Sequence, residues 1–180
     1  MRSAERSLTM TLSERPISPN ETARLVTYLR THFRLDWYGI HGASHWGRVK
    51  RIGLKLAAVT GADPEVVSLF AFLHDSCRIH DGRDPEHGSR AALLVQHLQG
   101  DWFRLAPEQL DQLIVACAGH SAGRRIADVT VQTCWDADRL DLGRIGVRPD
   151  PQYLGNEAAR RSEFIEWAWD LSQSYALFDP

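Results

Sequence analysis

The apolar run VVSLFAFL, residues 66–73, leads directly into the dipeptide His74-Asp75. The run predicts a buried helix, and burying a polar group without a partner costs roughly 2–7 kcal/mol. We therefore expect a metal ion or a charged ligand at the end of this helix. Imidazole nitrogen and carboxylate oxygen are good ligands for Mn, Fe, Zn, Co or Ni. Two ligands leave an ion underbound, so others must come from elsewhere in the chain.

Further candidate ligands occur in four other segments of the chain. They are His45 in HGASHWGRV, His87 in DPEHG, His120 in CAGHSAG, and an aspartate in CWDADRLDLGRIGV. Each falls in or beside a different predicted helix, as required for a site built between the facing helices of a bundle. In DADRLD either Asp136 or Asp138 has the chemistry of a ligand. The sequence does not decide whether His41 and His80 belong to the site.

Helix signals dominate the rest of the chain. Ser18, Pro19 and Glu21 predict a capping box with proline at the first helical position, and Gly61 predicts a helix end. Seven helices are predicted, beginning near residues 18, 43, 63, 84, 107, 128 and 156. The fourth is expected to end at Gly100 and the last at residue 175. Since no alternating strand pattern separates them, the expected fold is a compact all-α domain spanning residues 18–180, with 1–17 as a flexible segment.

Length, charge and cysteine content narrow the class of protein. A chain of 180 residues suits one domain, and its net charge of -2 and pI near 6.4 disfavour a nucleic-acid-binding surface. Cys77, Cys117 and Cys134 lack CxxC spacing, and any bridging scheme leaves one of them unpaired, which favours a reducing compartment. Neither a signal peptide nor an apolar stretch of about 18 residues is visible. We therefore expect a cytoplasmic protein that does not cross a membrane.

The order His45, then His74-Asp75, then Asp138 resembles the H…HD…D signature of the HD superfamily of metal-dependent phosphohydrolases. The closer likeness is to its small single-domain bacterial members. It extends over residues 37–149 through HGASHWGRV, the apolar helix ending in HD, DPEHG, GHS and DADRLD. This resemblance implies an HD-domain helical bundle around one or two divalent ions (Mn, Fe, Mg, Zn, Co or Ni). The family pattern places the last ligand immediately before the Arg-Leu step, which selects Asp138 over Asp136.

The same resemblance implies roles for individual residues. His45, His74, Asp75 and Asp138 would bind a first metal. His87 and His120 are candidates for a second metal, with Asp75 bridging the two ions. The spacing does not copy the longer histidine set of the cyclic-dinucleotide phosphodiesterases, and the chain lacks their GYP tripeptide. One ion and two ions therefore both remain open.

The implied activity is hydrolysis of a small phosphorylated metabolite, with nucleotides as the leading substrate class. The reaction would be that of a phosphomonoesterase, a phosphodiesterase or a nucleotide pyrophosphohydrolase. The expected catalytic residues are Asp75, His87 and Arg139, and the expected substrate-binding residues are Arg78, His120 and Arg139. The alternative is a non-catalytic HD module that keeps a metal for ligand sensing or regulation. A homodimer is compatible with the chain, although no interface is readable in it.

Overall fold

The computed structural model of the chain describes residues 16–123 and 127–174. Within them lie eight α-helices: α1 Pro19–His32, α2 Ala43–Thr60, α3 Pro64–Leu73, α4 His87–Leu98, α5 Pro107–Gly119, α6 Val129–Leu140, α7 Glu157–Arg160 and α8 Ser162–Gln173. Short 3-10 helices span Asp141–Ile145 and Pro151–Tyr153. No strand occurs in the described ranges, so the all-α prediction is confirmed. Positions 1–15 of the expected flexible segment, and position 175 of the last predicted helix, lie outside the described residues.

Most helix ends follow from the local sequence. Ser18 caps α1 in a capping box with Glu21, and Asp63 caps α3 by accepting two backbone N–H groups. Asp128 caps α6 in the same way. Helix α2 ends at Gly61, whose φ of 78° lies in the left-handed region that favours glycine. These predicted helix ends are confirmed. They could be predicted from the sequence because capping depends on neighbouring residues alone.

Two predicted helices differ in the structure. Helix α4 begins at His87 and not at Asp84, because the Asp84 carboxylate accepts hydrogen bonds from Ile79 N and Arg90 Nη2 and does not cap the helix. The last predicted helix is interrupted at Arg161, whose extended backbone (φ -65°, ψ 135°) separates α7 from α8. The Arg161 carbonyl then accepts the N–H groups of the first turn of α8. The break allows the α7 and α8 segments to bury separate apolar faces.

Helix α3 lies at the centre of the bundle. Every residue from Val66 to Leu73 except Ser68 is buried, and the helix packs against α2, α5 and α6. Helix α4 packs mainly on α5, and α8 packs on the 3-10 helix that follows α6. The C-terminal end of α3 therefore opens into the interior of the bundle. Among the described residues, no helix has the length and apolar content needed to cross a membrane.

Gly53 permits the close approach of α2 to α3. A Cβ atom at this position would lie 2.5 Å from Val67 Cγ1 and 3.4 Å from Ala137 Cβ. We predict that Gly53→Ala destabilises the protein, because overpacking of about 1–3 kcal/mol exceeds the helix-propensity gain of about 1 kcal/mol. Denaturant unfolding measures the change, and Val67→Ala is the matched background because it makes room for the added methyl. A Gly53→Ala cost that is equal in both backgrounds would contradict this packing account.

Candidate metal centre

The end of α3 delivers His74 and Asp75 to the interior of the bundle. Both residues are buried, with exposed fractions of 0% and 2%. The Phe70 carbonyl, one turn earlier, lies 3.0 Å from both the backbone nitrogen and Nδ1 of His74. The Phe70 ring also stacks on the imidazole at a centroid distance of 4.7 Å. The helix that precedes the dipeptide therefore sets the orientation of His74.

A first ligand group consists of His45, His74 and Asp138, from the start of α2, the end of α3 and the last turn of α6. His45 Nε2 lies 3.1 Å from His74 Nε2 and 3.4 Å from Asp138 Oδ1. His74 Nε2 lies 3.8 Å from the same oxygen. The two histidines are fully buried, and the Asp138 side chain is 18% exposed. The group can hold a metal ion, and Asp138 is its most exposed member.

A second ligand group consists of Asp75, His87 and His120, from the end of α3, the start of α4 and the end of α5. His87 Nε2 lies 2.7 Å from His120 Nε2. Asp75 Oδ1 lies 3.3 Å from His87 Nε2 and 3.5 Å from His120 Nε2. All three residues are buried. This group can also hold an ion.

Asp75 joins the two groups. Its Oδ2 atom lies 3.6 Å from His45 Nε2 and 3.7 Å from His74 Nε2, while Oδ1 faces the second group. Arg78 Nε donates a 2.9 Å hydrogen bond to Oδ1. Each carboxylate oxygen therefore faces a different pair of imidazoles, which is the position of a bridging ligand.

The hydrogen bonds of the imidazoles show which ring nitrogens can bind a metal. Each Nδ1 atom lies beside an oxygen: an Asp141 carboxylate oxygen for His45, and the carbonyls of Phe70, Asp84 and Cys117 for His74, His87 and His120. Since these oxygens accept hydrogen bonds, each Nδ1 carries the proton and each Nε2 presents a lone pair. The Nε2 lone pairs then converge on one another and on ionised carboxylates. Such a buried cluster could hold a metal ion.

Burial and charge set the protonation of the site. Burial holds the pKa of His74 below its usual value and that of His45 well below it, with the charge of Arg144 acting in the same direction on His45. Burial alone would raise the pKa of Asp75, but neighbouring histidines, His74 foremost, hold it well below its usual range. Burial likewise opposes protonation of His120, yet the neighbouring Asp75 carboxylate raises its pKa. Neutral imidazoles beside ionised carboxylates are the forms that bind divalent metals.

The structure separates the two acidic candidates on α6. The Asp136 carboxylate accepts hydrogen bonds from Gln132 Nε2 and from the backbone N–H groups of Gly155 and Asn156. It therefore holds the segment before α7 against the bundle. Asp138, two residues later, projects toward the histidines. This placement agrees with the choice that the resemblance implied.

Of the two arginines named from the sequence, Arg78 contacts a candidate metal ligand, whereas Arg139 contacts a backbone carbonyl and lies near a carboxylate outside both ligand groups. Arg78 contacts Asp75, as described, and its Nη1 donates to the Gly82 carbonyl. Arg139 Nη1 donates to the Tyr153 carbonyl and lies 3.9 Å from Asp136 Oδ1. These contacts direct the Arg139 guanidinium toward the Asp136 network. Arg144, five residues further on, is the arginine whose charge acts on His45 and Asp138.

A carboxylate that the sequence patterns did not predict lies behind the first ligand group. Asp141 Oδ2 lies 2.7 Å from His45 Nδ1, and Arg48 binds both oxygens of Asp141 through Nε at 2.7 Å and Nη2 at 3.1 Å. Burial raises the pKa of Asp141, and the Arg48 guanidinium opposes that rise. One signal was available: Arg48 follows His45, and Asp141 follows Asp138, at three-residue spacing, which places each pair on one helical face.

His41, one of the two histidines left open by the sequence, pairs with a carboxylate near Asp75. His41 is 7% exposed, and its Nδ1 lies 2.8 Å from Asp81 Oδ1. Burial lowers the pKa of His41, while Asp81 and the charge of Asp75 raise it. His80, the other histidine left open, accepts a hydrogen bond at Nδ1 from Gly82 N and is exposed. Of these two histidines, His41 has the environment of a functional group.

Comparison of the chain with protein-family models, curated proteins and solved structures finds no match.

The geometry predicts that different substitutions remove metal from one ligand group or from both. His87→Ala should remove the ion of the second ligand group and retain that of the first, because Asp75 remains for His45, His74 and Asp138. Asp75→Ala should remove both ions, since it supplies an oxygen to each group. Elemental analysis of dialysed protein measures metal per chain, and His97→Ala on the exposed face of α4 is the control. Two ions retained by Asp75→Ala would contradict the shared carboxylate.

Proposed function

We propose that this protein is a metal-dependent phosphohydrolase that acts on a small phosphorylated metabolite. The observation that carries the proposal is the Asp75 carboxylate, whose two oxygens face two separate groups of buried ligands. Divalent ions held by these groups would provide Lewis acidity for a phosphoryl group and lower the pKa of water. The HD-superfamily resemblance supports the same activity and is the reason for placing nucleotides first among phosphate esters.

The arginines near the centre have distinct parts in this proposal. Arg78 orients Asp75 through Nε, and its Nη2 has no hydrogen bond within the described residues. Arg144 is held by the Ile40 and Asp141 carbonyls through Nε and Nη1, and its charge lies near Asp138. Guanidinium groups match phosphate oxygens in geometry and charge. Arg78 and Arg144 would therefore attract the phosphate group of the substrate to the metal centre.

His41 is the residue that would exchange a proton with the reacting ester. Asp81 accepts a hydrogen bond from Nδ1 and so fixes the tautomer, which leaves Nε2 as the atom that takes up a proton. The lowered pKa of His41 keeps this imidazole neutral at neutral pH. Such a base–carboxylate pair would supply the proton acceptor for the reaction.

We predict that His41→Asn lowers kcat about 10²–10⁴-fold, which is the usual contribution of a positioned proton-transfer group. Metal content should not change, since His41 lies outside both ligand groups. Release of phosphate and pyrophosphate from a nucleotide panel measures kcat, and His97→Asn controls for loss of a histidine. Full activity in His41→Asn would eliminate this role.

The rate should also report the pKa of His41. As pH falls through that pKa, protonation removes the acceptor and kcat/KM decreases. Asp81 and Asp75 raise this pKa, whereas burial, Arg78 and Arg144 lower it. Asp81→Asn removes a group that raises the pKa, so the acid limb of the profile should move to lower pH. An acid limb that stays in place in Asp81→Asn would show that another group controls it.

The decisive test joins metal content to turnover in the native protein and in Asp75→Ala. Turnover that depends on added Mn and disappears with the metal in Asp75→Ala is the expected result. Bound metal without release of phosphate or pyrophosphate from any substrate would favour the non-catalytic sensing module. Failure of the native protein to bind metal would overturn the proposal.

A further inference from the structure

We propose that the two ligand groups bind metal with unequal affinity, the first more tightly, and that Asp141 is the positioning residue that strengthens it. The inference rests on the proposed metal centre and is independent of hydrolysis. An ion in the first group would remain bound, whereas an ion in the second group would exchange with the solution more readily.

The four candidate ligand histidines differ in the group that accepts the hydrogen bond from Nδ1. His74, His87 and His120 each donate Nδ1–H to a backbone carbonyl, whereas His45 donates to the Asp141 carboxylate at 2.7 Å. A charged acceptor makes a stronger hydrogen bond than a neutral carbonyl. It also makes the opposite ring nitrogen a better metal donor. His45 is therefore the strongest imidazole donor of the four.

Asp141 is itself held in place. It is fully buried, and Arg48 binds both of its oxygens. Arg48 lies one turn after His45 on α2, so a single helical face supplies both the ligand and the clamp on its carboxylate partner. The 3-10 helix that begins at Asp141 continues directly from α6, which carries Asp138. The junction of α2 with α6 thus supports His45 and Asp138, while α3 orients His74.

The second group has fewer and weaker donors. The first group has an imidazole pair, Asp138 and, in addition, Oδ2 of Asp75. The second group has an imidazole pair and only Oδ1 of Asp75, an oxygen that also accepts a hydrogen bond from Arg78. The larger number of ligands therefore favours metal binding by the first group.

Titration of the metal-free protein with Co²⁺ against a competing chelator tests this ordering. The native protein should bind Co²⁺ in a tight phase and a weaker phase. His87→Ala assigns the phases, because it should remove the weaker one and retain the tight one. Asp141→Asn should raise the dissociation constant of the tight phase about 10–100-fold, the usual effect of losing such a partner, and leave the weaker phase unchanged.

Asp136→Asn is the matched control. Like Asp141, Asp136 is a fully buried carboxylate, but it lies on α6 and holds the segment before α7. The substitution should lower thermal stability without changing either phase. Should Asp141→Asn fail to fold, Arg48→Lys gives a second route: it keeps the charge and removes the bidentate contact, so it should weaken the tight phase alone.

Several results would overturn the inference. Two phases of equal affinity in the native protein, or loss of the tight phase in His87→Ala, would contradict the order of the two groups. Equal weakening of both phases in Asp141→Asn, or an unchanged tight phase in both Asp141→Asn and Arg48→Lys, would contradict the role of Asp141. Absence of Co²⁺ binding would overturn the metal centre along with it. Two ordered phases with no turnover would end the phosphohydrolase proposal and leave this inference standing.

Discussion

The interaction on which the site depends is the burial of the Asp75 carboxylate among imidazole nitrogens that can only accept hydrogen bonds. Removing such a charge from water is costly unless positive charge replaces the lost hydration. The Asp75 carboxylate raises the pKa of His120 even though burial opposes this, which reflects the demand for positive charge. A divalent ion in each ligand group would meet the same demand more completely. The hydrogen bond from Arg78 offsets only part of the charge, because it reaches a single oxygen.

The architecture of the bundle follows from that requirement. The candidate metal ligands come from the beginnings of α2 and α4 and from the ends of α3, α5 and α6. The last turn of a helix has backbone carbonyls without helical partners, and the Cys117 carbonyl near the end of α5 accepts the Nδ1 proton of His120. The Asp84 carbonyl, in the segment before α4, accepts that of His87. The apolar α3 supplies rigidity, because it is packed on several sides and cannot shift without disturbing the core. An unusually hydrophobic helix thus positions a polar dipeptide.

Much of the fold could be predicted because helix capping and apolar periodicity are local. The ends of α2 and the caps of α1, α3 and α6 depend on residues within a turn of one another. The start of α4 was mispredicted because the Asp84 carboxylate is engaged by Arg90 and the Ile79 N–H. The break at Arg161 likewise depends on how α7 and α8 pack, and no local signal for it exists in an amphipathic run.

The sequence by itself determined the helical character of the chain and the identity of the ligand candidates, because residue type and helical spacing specify both. It also contained both acids of α6, but could not separate Asp136 from Asp138 without a resemblance to a known family. Only the tertiary structure decided that Asp75 faces two groups, that Asp141 supports His45, and that Arg139 turns toward Tyr153. These arrangements join residues far apart in the chain. Their geometry is set by how the helices cross, which no local pattern encodes.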